Sequence, residues 1–406
     1  PAYTQIRFPR DISLLKTLNF FPKQALNATA YSFSFIMLGI LSAAEGPALP
    51  SLAKNTATSL DEVSYLFVFA SLGYLLGSYF GGKAYDYLPG HRLMAVMLLL
   101  MSATAFFIPF ARHLPLILGA FFLIGSAKGA VDVGGNTLLL WEHGRKAAPY
   151  INSLHFSFGL GATLAPLCLA VLIALGTSPL NIFILFALLF LPIALWLWFL
   201  PEPAHPVIQE ERRKSATSII TILFILTAFV FYVGAEIGFG NWVYTYALTL
   251  GLGTETSAAY LTSAFWGIFT FGRLLGIFAS STISPKRILL INFFGSMLSM
   301  IAIILWQDST LALWAGTIGA GLFMASIFPN MLMLADEQME ISGAITGWFL
   351  VGGGIGGMLL PWLIGQAFVL ISPKSMPALV LFSLLANLGA VWGFWFLTRA
   401  DLRSRG

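Results

Sequence analysis

The chain has 406 residues, 58% of them hydrophobic and only 9% charged, with a formal net charge of +4 and a mean hydropathy of +0.85. An ordinary soluble chain carries about 25% charged residues, so this composition excludes a water-soluble enzyme. Roughly 20 apolar residues cross a bilayer as helix, so the chain has room for twelve spans with short loops, and its long apolar runs lack the alternation of a β-barrel.

In chain order, a cytoplasmic segment over 1–27 leads into spans at about 28–52, 62–82, 93–111, 115–140, 149–175 and 180–200. A polar stretch over 201–217 follows, dense in Glu202, Glu210, Glu211, Arg212, Arg213 and Lys214. Six more spans lie at about 218–250, 257–281, 288–306, 310–334, 342–371 and 376–398, leaving a tail over 399–406. The fold expected is an all-α membrane protein of two six-helix halves, 28–200 and 218–398.

Sixteen of the 21 Lys and Arg fall on the side of the termini and the 201–217 linker. Lys54, Arg112 and Lys374 fall on the other, and Lys128 and Arg273 lie within spans. Lys and Arg accumulate in cytoplasmic loops, so both termini are expected in the cytoplasm, in a bacterial inner (plasma) membrane. The basic pI near 9.1 then reads as a topology signal answered by anionic lipid, not as nucleic-acid affinity. Cys168, the single cysteine, allows no disulfide within the chain.

The halves repeat. Ala44 and Glu45 recur as Ala235 and Glu236; Asn136 and Glu142 recur as Asn330 and Asp336; Gly159, Gly161 and Pro166 recur as Gly354, Gly356 and Pro361. Such a repeat places substrate near the midplane between halves.

Ionisable side chains at the bilayer centre cost about 2.5–3.5 kcal/mol on insertion scales, so each needs a reason. Glu45 precedes Gly46, Pro47 and Pro50, and Glu236 precedes Gly238 and Gly240; both spans are expected to break there and expose backbone carbonyls. Lys128, Asp132 and Asn136 are spaced four apart and share a helix face, where Lys128 and Asp132 are placed to pair. His155 and Arg273 complete the set. Burial disfavours a carboxylate's charged form and a neighbouring ammonium favours it, so Glu45, Lys128, Asp132 and Glu236 are candidates for exchanging a coupling ion, H+ or Na+. A sodium ion is expected at Glu45 and Asp132 if that is the cation. An uncharged sugar needs hydrogen-bonding groups and an aromatic face, which Asn136, His155, Glu236, Asn241, Asn330, Trp242, Trp266 and Trp348 supply.

The loop Gly82–Arg92, with Asp86, Gly90 and Arg92, resembles the Gly-x-x-x-Asp-(Arg)-x-Gly-x-Arg signature of the major facilitator superfamily, with one extra residue between Asp and Gly. The resemblance implies that Asp86 and Arg92 act in gating, and Arg273, following Gly272 at an expected helix contact, is a further gating candidate. Asp132 to Asn136, Leu154 to Ala162, and Tyr232 to Glu236 with Gly240, Trp242 and Thr245 to Ala247 resemble the sodium-dependent glucose transporter type 1 family. Glu45 and Asp132 also stand where the more distant fucose–proton symporters carry acids, with the acid types interchanged. These likenesses imply a monomeric secondary transporter for a sugar, a hexose such as glucose, coupled to a proton or sodium gradient. A sugar uniporter and a transporter of a lipid or other small amphipathic solute are the alternatives. No His-Glu-x-x-His, Gly-x-Ser-x-Gly, P-loop or paired-Cys site occurs, so neither a metal centre, a cofactor nor an enzyme is expected.

Overall fold

The computed structural model describes residues 23–203, 219–280, 282–336 and 343–405. Twelve helices are long and apolar enough to cross a membrane. The first six are α1 (Lys23–Thr56), α2 (Leu60–Tyr85), α3 (Gly90–Phe110), α4 (Leu114–His143), α5 (Pro149–Ala174) and α6 (Asn181–Phe199). The second six are α7 (Leu223–Thr249), α8 (Glu255–Ser280), α9 (Pro285–Leu305), α10 (Thr310–Asp336), α11 (Val351–Leu370) and α12 (Ser375–Phe396). Phe80, Phe278, Phe396 and Leu298 are each more than 60% exposed, a surface suited to lipid rather than water. Most of the linker read at 201–217 lies outside the described residues. The helix begun by α12 continues to Arg405, through the stretch read as a tail.

Two expectations about helix breaks are corrected. Helix persists through Pro47 and Pro50 in α1 and through Gly238 and Gly240 in α7. A proline removes one amide donor and crowds the carbonyl four residues back, but its fixed φ is helical, and packing on both sides holds the turn. Ala43 and Gly46 thereby lose the usual amide partners of their carbonyls.

Close backbone approach ties helices within each half. In α2, a Cβ on Gly73 or Gly77 would overlap the backbone of Phe122 or Ser126 in α4, the small-residue contact of membrane bundles. The repeat is visible in this packing: Gly161 of α5 lies on the carbonyl of Ile36 in α1, and Gly356 of α11 lies on that of Val230 in α7.

Three seams join the halves. Gly46 of α1 abuts the backbone of Asn241 in α7. Between α5 and α8, Ser263 Oγ donates to the Thr163 carbonyl at 2.8 Å. Between α2 and α11, Gln366 Nε2 donates to the Asp61 carbonyl at 3.0 Å and to Ser64 Oγ at 3.3 Å, beside the ring pair Tyr65–Trp362. These bonds sit toward the face carrying loop 57–59, and among the described residues no hydrogen bond or ion pair joins the halves near the opposite face. The space between the halves is therefore closed at one end.

Candidate functional site

A cavity of about 290 Å³ lies between the halves. Its wall draws on α1, α2, α4 and α5 from one half and on α7, α8, α10 and α11 from the other. Among its lining residues are Ser42, Glu45, Tyr74, Lys128, Asp132, His155, Asn241, Trp266 and Arg273. Seven of the residues singled out in the sequence therefore meet in one chamber.

Lys128 does not pair with Asp132. Its Nζ reaches across to Glu45 Oε1 at 3.3 Å and Ser42 Oγ at 3.0 Å, with side-chain exposures of 16% for Lys128 and 7% for Glu45. Spacing of four residues gives a shared face, but the longer lysine stem follows the acid on α1 that lacks another partner. Asp132 is answered by neutral donors: Tyr74 from α2 gives its hydroxyl proton to Oδ2 at 2.5 Å, and Asn136 Nδ2 donates to Oδ1 at 3.1 Å. Asn136 is thus spent on Asp132 and does not line the cavity.

In the second half, Arg273 NH2 stands 3.8 Å from Glu236 Oε1, and its guanidinium lies 4.6 Å from the Phe269 ring centre. Glu236 is buried behind Arg273, which faces the cavity. His155 lines the cavity and meets Phe35 edge-on. Trp266 lines it too and is 3% exposed.

Other expected contacts fall elsewhere. Trp242 is fully buried, donates Nε1–H to the Pro361 carbonyl at 2.8 Å and packs on Phe368 and Phe67; it braces α7 against α11 away from the cavity wall. Asn330 is buried and donates to the Ser326 carbonyl four residues back. The side chain of Trp348 lies outside the described residues. Asp86 and Arg92 are both exposed and no ion pair joins them; instead Glu202 accepts hydrogen bonds from the amides of His91 and Arg92, capping the start of α3.

Tyr74 was not among the residues the sequence singled out. Its only sequence signal is a phenol beside Gly73 and Gly77, where α2 lies too close to α4 for a larger neighbour.

Among the described residues no group of three or more His, Cys, Asp or Glu side chains is arranged to hold a metal ion. The family profile of the Major Facilitator Superfamily matches residues 31–361. The chain belongs to the major facilitator superfamily. It is therefore an integral, multi-pass membrane transporter and not an enzyme. Within the superfamily it is 30% identical to sodium-dependent glucose transporter 1 of Xenopus laevis, over 79% of this chain and 71% of that protein. It is 30% identical to sodium-dependent glucose transporter 1A of Mus musculus, over 82% and 87%. A D-xylose–proton symporter shares the fold at a TM-score of 0.74 and 13% identity, over 90% of this chain and 97% of that one. A bacterial homologue of the lysosomal transporter Spinster, inward-facing and unoccupied, does so at 0.73 and 14%, over 94% and 98%.

Proposed function

We propose that this transporter carries a hexose such as glucose together with a cation, sodium in the first instance, by alternating access. The observation that carries the reading is the mixed lining of one inter-half cavity: charged groups on α1, α4 and α8, with neutral polar and aromatic groups on α7 and α8. The names of the vertebrate relatives point the same way for sugar and for sodium.

Five charged side chains meet in or against the cavity: three acids, Glu45, Asp132 and Glu236, and two bases, Lys128 and Arg273. Their formal charges leave one negative charge over, so a single bound monovalent cation neutralises the chamber. Among the described residues Asp132 is the acid of the three without a basic partner, and it is the residue we assign to that cation. Hard cations take oxygen ligands, and the Tyr74 and Ser42 hydroxyls and the proline-freed carbonyls of α1 stand on neighbouring helices. Binding of cation and sugar then favours the exposure in which both are held best, and the halves rock about the seams.

Both termini are read as cytoplasmic in a plasma (inner) membrane, a reading the positive-inside count supports for orientation; the closed end then faces outward and the cavity inward. The cavity is complete within one chain, so a monomer suffices. Gating is assigned to Arg273 at the cavity and to the Asp86–Arg92 loop at the cytoplasmic face.

The test is hexose uptake into proteoliposomes with sodium and proton gradients imposed separately. Uptake above equilibrium under the sodium gradient is expected. Accumulation only under the proton gradient replaces the ion, equilibrating uptake under both makes the protein a uniporter, and absence of uptake overturns the sugar reading in favour of an amphipathic solute.

A further inference from the structure

The polar groups of the cavity differ in how they are satisfied. On the α1–α4 side Lys128, Glu45 and Asp132 all have partners. Two buried side-chain atoms of cavity-lining residues have none among the described residues: Asn241 Oδ1 and Trp266 Nε1. Their residues are 2% and 3% exposed.

The two atoms are complementary, an acceptor on α7 and a donor on α8, and both residues line the cavity. Asn241 Nδ2 is committed to the Ile237 carbonyl at 3.1 Å, which leaves the amide oxygen as a free acceptor. Trp266 offers only a donor. Gly240, the residue before Asn241, lets the indole close on α7: a Cβ there would come within 2.7 Å of Trp266 Cζ2 and 3.2 Å of Cε2. The indole edge next to Nε1 therefore rests on α7, a placement any larger residue at 240 forbids.

A buried polar group without a partner is costly, and native structures leave few of them unexplained. One acceptor and one donor fit two neighbouring hydroxyls, the first giving its proton to Asn241 and the second receiving the indole N–H. We propose that Asn241 and Trp266 form a vicinal-diol subsite that selects the sugar, a proposal that rests on the hexose reading and sharpens it. The subsite also touches the cation side, because the Asn241 backbone packs on Gly46, next to Glu45.

The experiment is counterflow in proteoliposomes with glucose and each monodeoxyglucose, for the native protein and for Trp266→Phe. The phenyl ring keeps an aromatic face and removes the donor. In the native protein, removal of either of two adjacent hydroxyls is expected to raise the half-saturation concentration about tenfold. At one of those positions, deoxygenation and Trp266→Phe combined cost no more than either alone, because both delete the same bond. Gly240→Ala, which pushes the indole away, is expected to weaken glucose as Trp266→Phe does. Losses that multiply at every position, or sensitivity at no adjacent pair in the native protein, overturn the diol assignment while leaving sugar transport standing. Failure of the native protein to take up any hexose overturns the sugar reading itself, and the subsite with it.

Discussion

The two halves carry an acid at equivalent points, Glu45 on α1 and Glu236 on α7, but answer it with cations from different helices. Lys128 reaches Glu45 from α4 at 3.3 Å and is 16% exposed; Arg273 approaches Glu236 from α8 at 3.8 Å and is 31% exposed. The first half pairs Lys128 with Glu45 and answers Asp132 with Tyr74 and Asn136, whereas in the second a buried donor and a buried acceptor of cavity-lining residues have no partner among the described residues. Pseudo-symmetry thus fixes where the helices and their acids stand, and the side chains that break the symmetry divide the labour between cation and sugar.

Substitutions that attack one half test that division, and their expected effects fall in order. Asp132→Asn removes the assigned cation carboxylate: gradient-driven accumulation is expected to vanish while sugar exchange persists, read by comparing net uptake with counterflow. Glu45→Gln leaves a mostly buried lysine without its acid, and unpairing a buried charge costs about 3–5 kcal/mol. Denaturation in detergent should show that loss, and Glu45→Gln with Lys128→Met should recover most of it. Trp242→Phe removes the indole bond to the Pro361 carbonyl, which keeps its helical partner, at a cost of about 0.5–1.5 kcal/mol; the sugar half-saturation concentration is expected not to move, since Trp242 braces the bundle and does not line the cavity. Glu236→Gln is expected to cost about 1 kcal/mol or less in the same denaturation assay, because the more exposed Arg273 keeps solvent and the Phe269 ring.

The spans, the six-plus-six repeat and the acids were legible because insertion into lipid depends on local composition and because each half repeats its own pattern. Pairing was not. Lys128 and Asp132 share a helix face, but the partner of Lys128 is 83 residues away, and no spacing rule reaches across a bundle. Trp242 and Trp266 look alike in sequence, being aromatics in facing spans near the midplane. The N–H of Trp242 meets the Pro361 carbonyl, whereas that of Trp266, held against Gly240, has no partner among the described residues. Tyr74 was hidden for the same reason: its role comes from how closely two glycine-bearing helices approach.

The most direct test of the division of labour measures accumulation under a sodium gradient and counterflow in the same proteoliposomes, for Asp132→Asn and Trp266→Phe side by side. Opposite signatures are expected. Asp132→Asn should lose accumulation and keep exchange, and Trp266→Phe should weaken exchange at low sugar yet still accumulate at saturation. Equal loss of both activities in both variants would contradict it, because sugar and cation would then depend on one undivided site.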